Sequence, residues 1–539
     1  MKIATVLFLI LVLAAGLRCY NLDFPSIGYH GGKEHEYLSM AQEMLRTGDF
    51  VTRRIYYYEP FDDVPIMRLY PQPPIISYQI ITAWKIFGQN LWSARLFNVF
   101  FGIGSVLVMY FISRMLFVRN RYAALFSALM MATLPLPVFF SRNLQPESPG
   151  LFFMSLGNLF YLKFITTFKK RNILFGGLAV SMAWIYKFNF LISAMPILFC
   201  LPYLTIFREK KRELLKYAVV AALSYLLIPC TVLLLKHIGQ WEFTTLGRVR
   251  IFEIFTPAYW QKYGRMIWWY IKGENFGPIY VTLSALGIVM AFFRRRGLLN
   301  RYIIGWALTI IPYCMVLSDL INQHNYYQVP FLMLVCVSTT YSVVLISELL
   351  GKLIKKDLFV LCALAVALAT GPFAYDSLLR MHSTIYAGMD VAGESLAEFT
   401  KTGDRVFLLT HSQGYGIARY ARRYAGWEDD LEKFKEREAK FNIRYACFYP
   451  AEYALSLQNT NPRLFEYIRD NYRVKEVGVV EEPRRLFYMI LEKGKNPDPA
   501  TFLQSFAGAM RLRTIYRVVG KYIFFYSIRP DLKTVSPTP

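Results

Sequence analysis

The chain has 539 residues, 55% of them apolar, and a formal charge of +24 from 61 Lys and Arg against 37 Asp and Glu. The apolar residues come in long runs rather than at helix or strand period, which excludes an ordinary soluble multidomain protein. The excess cations sit in short loops between the runs, where anionic lipid headgroups are the neighbours, and this argues against nucleic acid as a partner.

Runs such as Thr5–Gly16, Leu96–Phe117, Leu151–Thr166, Ala218–Leu235 and Leu358–Ala369 predict membrane-spanning helices. Eleven spans are expected, roughly at 2–19, 96–117, 123–140, 149–167, 172–186, 188–206, 214–235, 277–293, 302–318, 328–349 and 357–375. Lys2 and the run to Gly16 resemble a signal peptide, but no lipoprotein cleavage pattern follows at Arg18 and Cys19, so this is taken as an uncleaved first span.

Basic clusters follow every even-numbered span: Arg119 and Arg121; Lys169, Lys170 and Arg171; Arg208 to Lys216; Arg294 to Arg301; and Lys352, Lys355 and Lys356. The positive-inside rule makes these loops and the N-terminus cytoplasmic, and the C-terminal region extracytoplasmic. The protein is thus expected to be a multi-pass protein of the plasma (inner) membrane. The assignment needs two spans, with a turn near Lys187, across 172–206; a single helix there would reverse the parity of all that follows.

The first outer loop, 20–95, predicts an amphipathic helix over Glu36–Leu45, ended by Thr47 and Gly48, and a surface helix over Ile75–Phe87. Tyr259–Tyr270 reads as an interfacial aromatic stretch. From about residue 377 the composition changes. Strands are predicted over Arg405–Thr410, Ile443–Tyr449, Val474–Val480, Leu486–Leu491 and Tyr516–Ile528, and helices over Glu394–Lys401, Gly414–Arg423, Asp430–Lys440 and Pro462–Asn471. The expected architecture is an α-helical polytopic membrane domain, 1–376, with an extracytoplasmic α/β domain, 377–539. The seven cysteines show no CxxC spacing and read as small buried hydrophobes.

Four polar stretches fall on the predicted outer face. His30, Lys33, Glu34, His35 and Glu36 open the first-loop helix; the two carboxylates suit a general base, or a helix-start acid cluster favoured by the macrodipole. Arg142, Gln145 and Glu147 lie between spans 3 and 4, where Glu147 also suits a helix start. His324, Tyr326 and Tyr327 precede span 10; an aromatic anchor is the bland alternative. Lys187 is a charge between two apolar runs, suited to a lipid phosphate or to snorkelling. Histidines with acids admit a divalent metal, but no HxxxH or HExxH spacing supports one.

Together these stretches resemble the dolichyl-phosphate-mannose-protein mannosyltransferase-like superfamily, including bacterial aminoarabinose transferases, glycosyltransferases of the GT-C fold. Glu34–Gly48, Pro71–Arg95 and Ser141–Leu151 are similar to its first-loop acid, Pro-Pro and Arg–Pro-acid segments. His30–Ala41 and His324–Pro330 resemble motifs of a bacterial branch. The family's leading Asp falls on Lys33 in one alignment and on Glu36 in the other, so Glu34 and Glu36 both stand as the catalytic carboxylate, and the branch motif's Trp is Gly32.

The resemblance implies inverting transfer of a sugar from a polyprenyl-phosphate-linked donor to a protein, lipid or glycan acceptor at the outer face, as in protein glycosylation or lipid A modification of the cell envelope. A first-loop glutamate would activate the acceptor hydroxyl, with Glu147 assisting. Lys187, Arg142, Arg53 and Arg54 would face the donor phosphate, with His324, Tyr326 and Tyr327 on phosphate or sugar. His30, Lys33 and Gln145 would support the acceptor side. No cofactor other than the lipid-linked substrate is implied. Rival readings are a transporter or flippase of lipid-linked glycans, which would show repeated halves and midplane charges, and a glycan polymerase or ligase.

Overall fold

The computed structural model describes residues 2–58, 73–209, 213–239, 251–294, 297–410, 413–480, 485–495 and 510–529. The chain divides into two compact units. One comprises Met1–Asp23 with Arg68–Leu378, the other Phe24–Met67 with Leu379–Pro539. The later division falls between Leu378 and Leu379. Within the first outer loop, Phe24–Met67 is grouped with the C-terminal residues in one unit, whereas the sequence reading keeps all of 20–95 with the membrane region.

The first unit is helical. Its helices are α1 (Ile3–Cys19), α3 (Ile75–Phe87), α4 (Leu91–Leu116), α5 (Arg121–Thr133), α6 (Pro135–Arg142), α7 (Glu147–Thr167), α8 (Lys170–Tyr186), α9 (Met195–Cys200), α10 (Leu214–Tyr225), α11 (Leu227–His237), α12 (Pro257–Trp268), α13 (Pro278–Phe293), α14 (Leu298–Val316), α15 (Ser318–Ile321), α16 (Phe331–Ile354) and α17 (Phe359–Ser383); α2 (Gly31–Thr47) belongs to the second unit. Ten of the eleven apolar runs are occupied by one of these helices or by a broken pair, and the run at 188–206 holds a 3-10 helix, Phe188–Ala194, followed by the short α9.

Among the described residues, five helices are long and apolar enough to cross a membrane: Leu91–Leu116, Leu214–His237, Leu298–Val316, Phe331–Ile354 and Phe359–Ser383. The number rises to seven if each of two bent pairs is one span, and Ile3–Cys19, Ile75–Phe87 and Phe188–Cys200 are shorter apolar helices. The protein is a multi-pass membrane protein. The criterion of length and apolarity thus selects fewer than the eleven runs, because several of them are short, kinked or interrupted by polar residues. The α5–α6 pair bends by 53° at Leu134, where Pro135 begins the second helix.

Small residues let the helices approach. A Cβ at Gly287 on α13 would lie 2.1 Å from the Ser338 carbonyl oxygen of α16, and beside it Ser284 and Ser338 share a hydroxyl hydrogen bond of 2.7 Å. Side chains on lipid-facing stripes stay exposed, and this corrects the cysteine expectation. All seven cysteines are free, but Cys19 and Cys230 lie on the exterior, and only Cys200, Cys336 and Cys447 are fully buried.

The second unit is built on one mixed sheet of β1 (Tyr57–Tyr58), β2 (Arg405–Leu409), β3 (Tyr424–Gly426), β4 (Tyr445–Phe448), β5 (Tyr472–Val480), β6 (Arg485–Lys493), β7 (Met510–Val518) and β8 (Lys521–Ile528). The strand order is β1-β3-β2-β4-β6-β5-β8-β7. The first four pair in parallel, and the remainder are antiparallel. Helices α18 (Met389–Phe399) and α19 (Gly414–Ala421) carry part of one apolar core, and α20 (Leu431–Lys440), α21 (Tyr453–Thr460) and α22 (Pro462–Asn471) carry part of another. Tyr516–Ile528, expected as one strand, is part of a hairpin. Val518 pairs with Lys521 across a two-residue turn whose Gly520 has φ +71°, a conformation that suits glycine. The edge strand β1 comes from the first outer loop and pairs in parallel with β3.

Candidate active site

In the helical unit the site grows from the turn between α6 and α7. Glu147 is the first residue of α7 and is buried. Asn98 of α4, inside an apolar run, clamps the turn: its side-chain amide donates to the carbonyls of Asn143 (2.5 Å) and Gln145 (2.8 Å). The Ser148 hydroxyl donates back to the Asn98 carbonyl at 2.6 Å. These bonds satisfy carbonyls that a tight turn would otherwise bury unpaired.

Lys187 ends α8 with an extended backbone (φ −161°, ψ 124°), and the chain continues as a 3-10 helix over Phe188–Ala194. The regular α-helix is therefore interrupted at Lys187. The Lys187 ammonium donates to Glu147 Oε1 at 2.5 Å, while Glu147 Oε2 has no hydrogen-bond partner among the described residues. Two adjacent rings lie against the ammonium, Tyr326 with its centroid at 4.3 Å and Tyr327 at 4.1 Å. His324 stacks on Tyr326 at 4.9 Å with an interplanar angle of 10°. The structure thus brings five of the sequence candidates together: Glu147, Lys187, His324, Tyr326 and Tyr327.

Amide and phenol groups hold this aromatic wall in place. The Asn189 amide donates to the Tyr313 hydroxyl (2.8 Å), which donates to the Tyr327 carbonyl (2.5 Å). Asn275 donates to the Asn325 carbonyl (3.2 Å) and to Gln328 Oε1 (2.8 Å), and the Asn325 amide donates to Glu274 Oε1 (3.2 Å). Sequence reading does not single out Asn98, Asn189, Tyr313, Glu274 or Asn275. The available signal is an amide or acid within or at the edge of an apolar run.

A buried pair such as Lys187–Glu147 is weak evidence for stability, since desolvation of two charges offsets their attraction. It does create a cation against two adjacent rings, with a neighbouring carboxylate oxygen that accepts no hydrogen bond among the described residues. Such a group can receive an anionic oxygen, and cation–π contact adds roughly 0.5–2 kcal/mol of favourable interaction per ring.

Arg142 reaches back to the end of α1, its guanidinium donating to the carbonyls of Tyr20 (3.5 Å) and Asn21 (3.3 Å). Gln145 is buried, with its carbonyl on Asn98.

In the second unit, α2 begins after His30, whose φ is +56°. Glu34 and Glu36 are both buried. Lys33 bridges to Glu36 at 2.9 Å. Burial pushes the Glu36 carboxyl above the ordinary glutamate range, against the opposing pull of the Lys33 ammonium. Between the two acids, His35 Nδ1 accepts from Arg419 Nε of α19 at 3.0 Å, and the Arg419 guanidinium lies 3.7 Å from the Tyr420 ring centroid. Arg53 is buried, and Arg54 pairs with Asp49 at 3.5 Å. The pairing of His35 with Arg419, beside the two candidate carboxylates, is not revealed by the sequence motifs. Among the described residues no three His, Cys, Asp or Glu side chains group as metal ligands.

Residues 71–234, which contain Arg142, Glu147 and Lys187, match the dolichyl-phosphate-mannose-protein mannosyltransferase family. An undecaprenyl phosphate-alpha-4-amino-4-deoxy-L-arabinose arabinosyl transferase of Pseudomonas aeruginosa is 30% identical over 226 residues, which are 41% of this chain and 38% of that protein. A second such transferase, of Pseudomonas fluorescens, is 25% identical over 317 residues, 55% of this chain and 53% of that protein. The matched region is therefore well under two thirds of the length of these relatives. Among solved structures, apo ArnT from Cupriavidus metallidurans is similar with a TM-score of 0.58 at 15% identity, covering 91% of this chain and 98% of that one. The Archaeoglobus fulgidus oligosaccharyltransferase is similar with a TM-score of 0.56 at 13% identity, covering 90% and 72%.

The chain has the GT-C fold, a helical membrane unit with a C-terminal sheet domain. Within it, residues 71–234 are similar to the dolichyl-phosphate-mannose-protein mannosyltransferase family.

Proposed function

We propose that the protein is a glycosyltransferase that moves a sugar from a polyprenyl-phosphate-linked donor to an acceptor hydroxyl at the outer face of the membrane, with inversion. The observation that carries this reading is the Lys187 ammonium, held on Glu147 and against the adjacent rings of Tyr326 and Tyr327. In-line attack on the anomeric carbon breaks its bond to the phosphate oxygen and releases polyprenyl phosphate. The developing negative charge needs a preorganised cation, and Lys187 is assigned that task. Glu147 positions the ammonium, while the tyrosines shield it from water.

A carboxylate on α2, Glu34 or Glu36, takes the acceptor proton. The raised Glu36 carboxyl suits a base whose proton affinity lies closer to neutrality. The relatives named as arabinosyl transferases and the ArnT structure with undecaprenyl phosphate support the donor class; the sugar and acceptor are left to experiment.

Purified protein incubated with labelled undecaprenyl-phosphate sugar and a lipid or peptide acceptor should release undecaprenyl phosphate. Lys187→Met should lower the rate by about 10² or more, in line with loss of one charge-stabilising group. Flux of labelled lipid across vesicles without turnover would favour a flippase instead and overturn the assignment.

A further inference from the structure

At the end of α16 remote from His324–Tyr327, a cavity of about 830 Å³ opens between the N-terminal residue of α1, the turn joining α4 to α5, and the last turns of α16. As α16 has 24 residues, the two places lie about 36 Å apart along its axis, a full membrane thickness. They therefore sit at opposite membrane surfaces whichever way the chain is oriented.

Five cations line the cavity: Arg119, Arg121, Lys352, Lys355 and Lys356, against two acids, Glu348 and Asp357. None of the five is ion-paired among the described residues. Asp357 is turned to another use, accepting from the Phe359 N–H at 3.0 Å. Lys355 has φ +56°, the helix-ending conformation that glycine adopts most easily. A lysine there keeps a third charge on the turn at a backbone cost.

Apolar residues next in the chain to the lining residues are exposed. Val118 and Leu353 are 71% and 76% exposed, and Leu349 and Ile354 are 64% and 57% exposed. A soluble anion would use only the cations. A lipid uses both the cations and these neighbouring apolar side chains.

We propose that this cavity binds the phosphodiester headgroup of an anionic membrane phospholipid, with its acyl chains along Val118, Leu349 and Leu353. Clustered Lys and Arg at the membrane surface attract such headgroups, and basic pockets between spans hold them. The site is remote from the Lys187 cluster and stands whether or not the transferase reading holds.

The test uses full-length protein in a neutral detergent, supplied with dioleoylphosphatidylglycerol or dioleoylphosphatidylcholine and weighed by native mass spectrometry. Phosphatidylglycerol should be retained about tenfold better, and the variant combining Lys352→Gln, Lys355→Gln and Lys356→Gln should lose that preference. Excess inorganic phosphate should leave the lipid bound; its displacement by phosphate would mark a free-anion site and overturn the proposal, as would equal retention of the two lipids. Should the triple variant fail to fold, photo-crosslinking of phosphatidylglycerol to the wild-type chain decides the matter. Adducts on 118–122 or 349–356 support the site, and adducts confined elsewhere refute it.

Discussion

Glu36 and Glu43 lie two turns apart on α2, and their surroundings push their carboxyls in opposite directions. Burial raises Glu36, and Lys33 only partly opposes it. Burial also acts to raise Glu43, but hydrogen bonds from Arg46 (2.7 Å) and from the Tyr424 hydroxyl (2.6 Å) outweigh it and hold this carboxyl below its ordinary range. The linkage signs follow. The Glu36 carboxyl binds its proton more tightly in the folded state. Its contribution is therefore full below the ordinary glutamate value and is lost as pH rises through the elevated folded value. Glu43 contributes above the ordinary value and loses that contribution as pH falls through its depressed one.

Thermal unfolding of the full-length protein across acid to neutral pH should show both limbs. Glu36→Gln should flatten the limb that falls towards neutrality, and Glu43→Gln the limb that falls into acid. Wild-type slopes in both variants would refute the assignments. At this scale the sequence makes the charged members of the candidate site legible, because Glu147, Lys187 and His324 interrupt or flank apolar runs where charge is costly. It conceals their supports. Asn98 looks like any lone amide in a helix, and its partners, the carbonyls of Asn143 and Gln145, are set by tertiary packing.

Between elements, the distance from α7 to the 188–194 turn decides whether Lys187 can reach Glu147. Gly150 lies one turn beyond Glu147, and a Cβ placed there would meet the Phe190 ring at 2.2 Å. The glycine thus allows the approach that forms the ion pair. Gly150→Val should force Phe190 aside, cost about 1–3 kcal/mol as overpacking, and lower transfer far more than the lost stability explains. Unchanged activity with an unchanged melting temperature would show that the approach is not needed. The break at Lys187 can be read from a cation between apolar runs, whereas the pairing of Tyr57 with Ala425 cannot, because a two-residue strand joined to a remote partner has no local period. The same reasoning explains why Tyr516–Ile528 reads as one strand: the strands on both sides of Gly520 are rich in β-formers, and only the glycine marks the reversal.

For the whole molecule, orientation reduces to the number of crossings between two basic turns. Lys170–Arg171 precedes or opens α8, and Lys355–Lys356 follows α16. With two spans across 172–206 the chain crosses six times between them, and both turns face the cytoplasm, as their charge demands. With one span there are five crossings, and one basic turn must face outward. Green fluorescent protein fused after Arg171 and after Lys356 should therefore be fluorescent in both fusions. Alkaline phosphatase should be active only when fused beyond α17, after Ser383. Opposite signals from the first two fusions would mean that the extended residue at Lys187 is a kink within one span. The outer-face assignment of His324, Tyr326 and Tyr327 would then fall with it, even though their contacts with Lys187 remained intact.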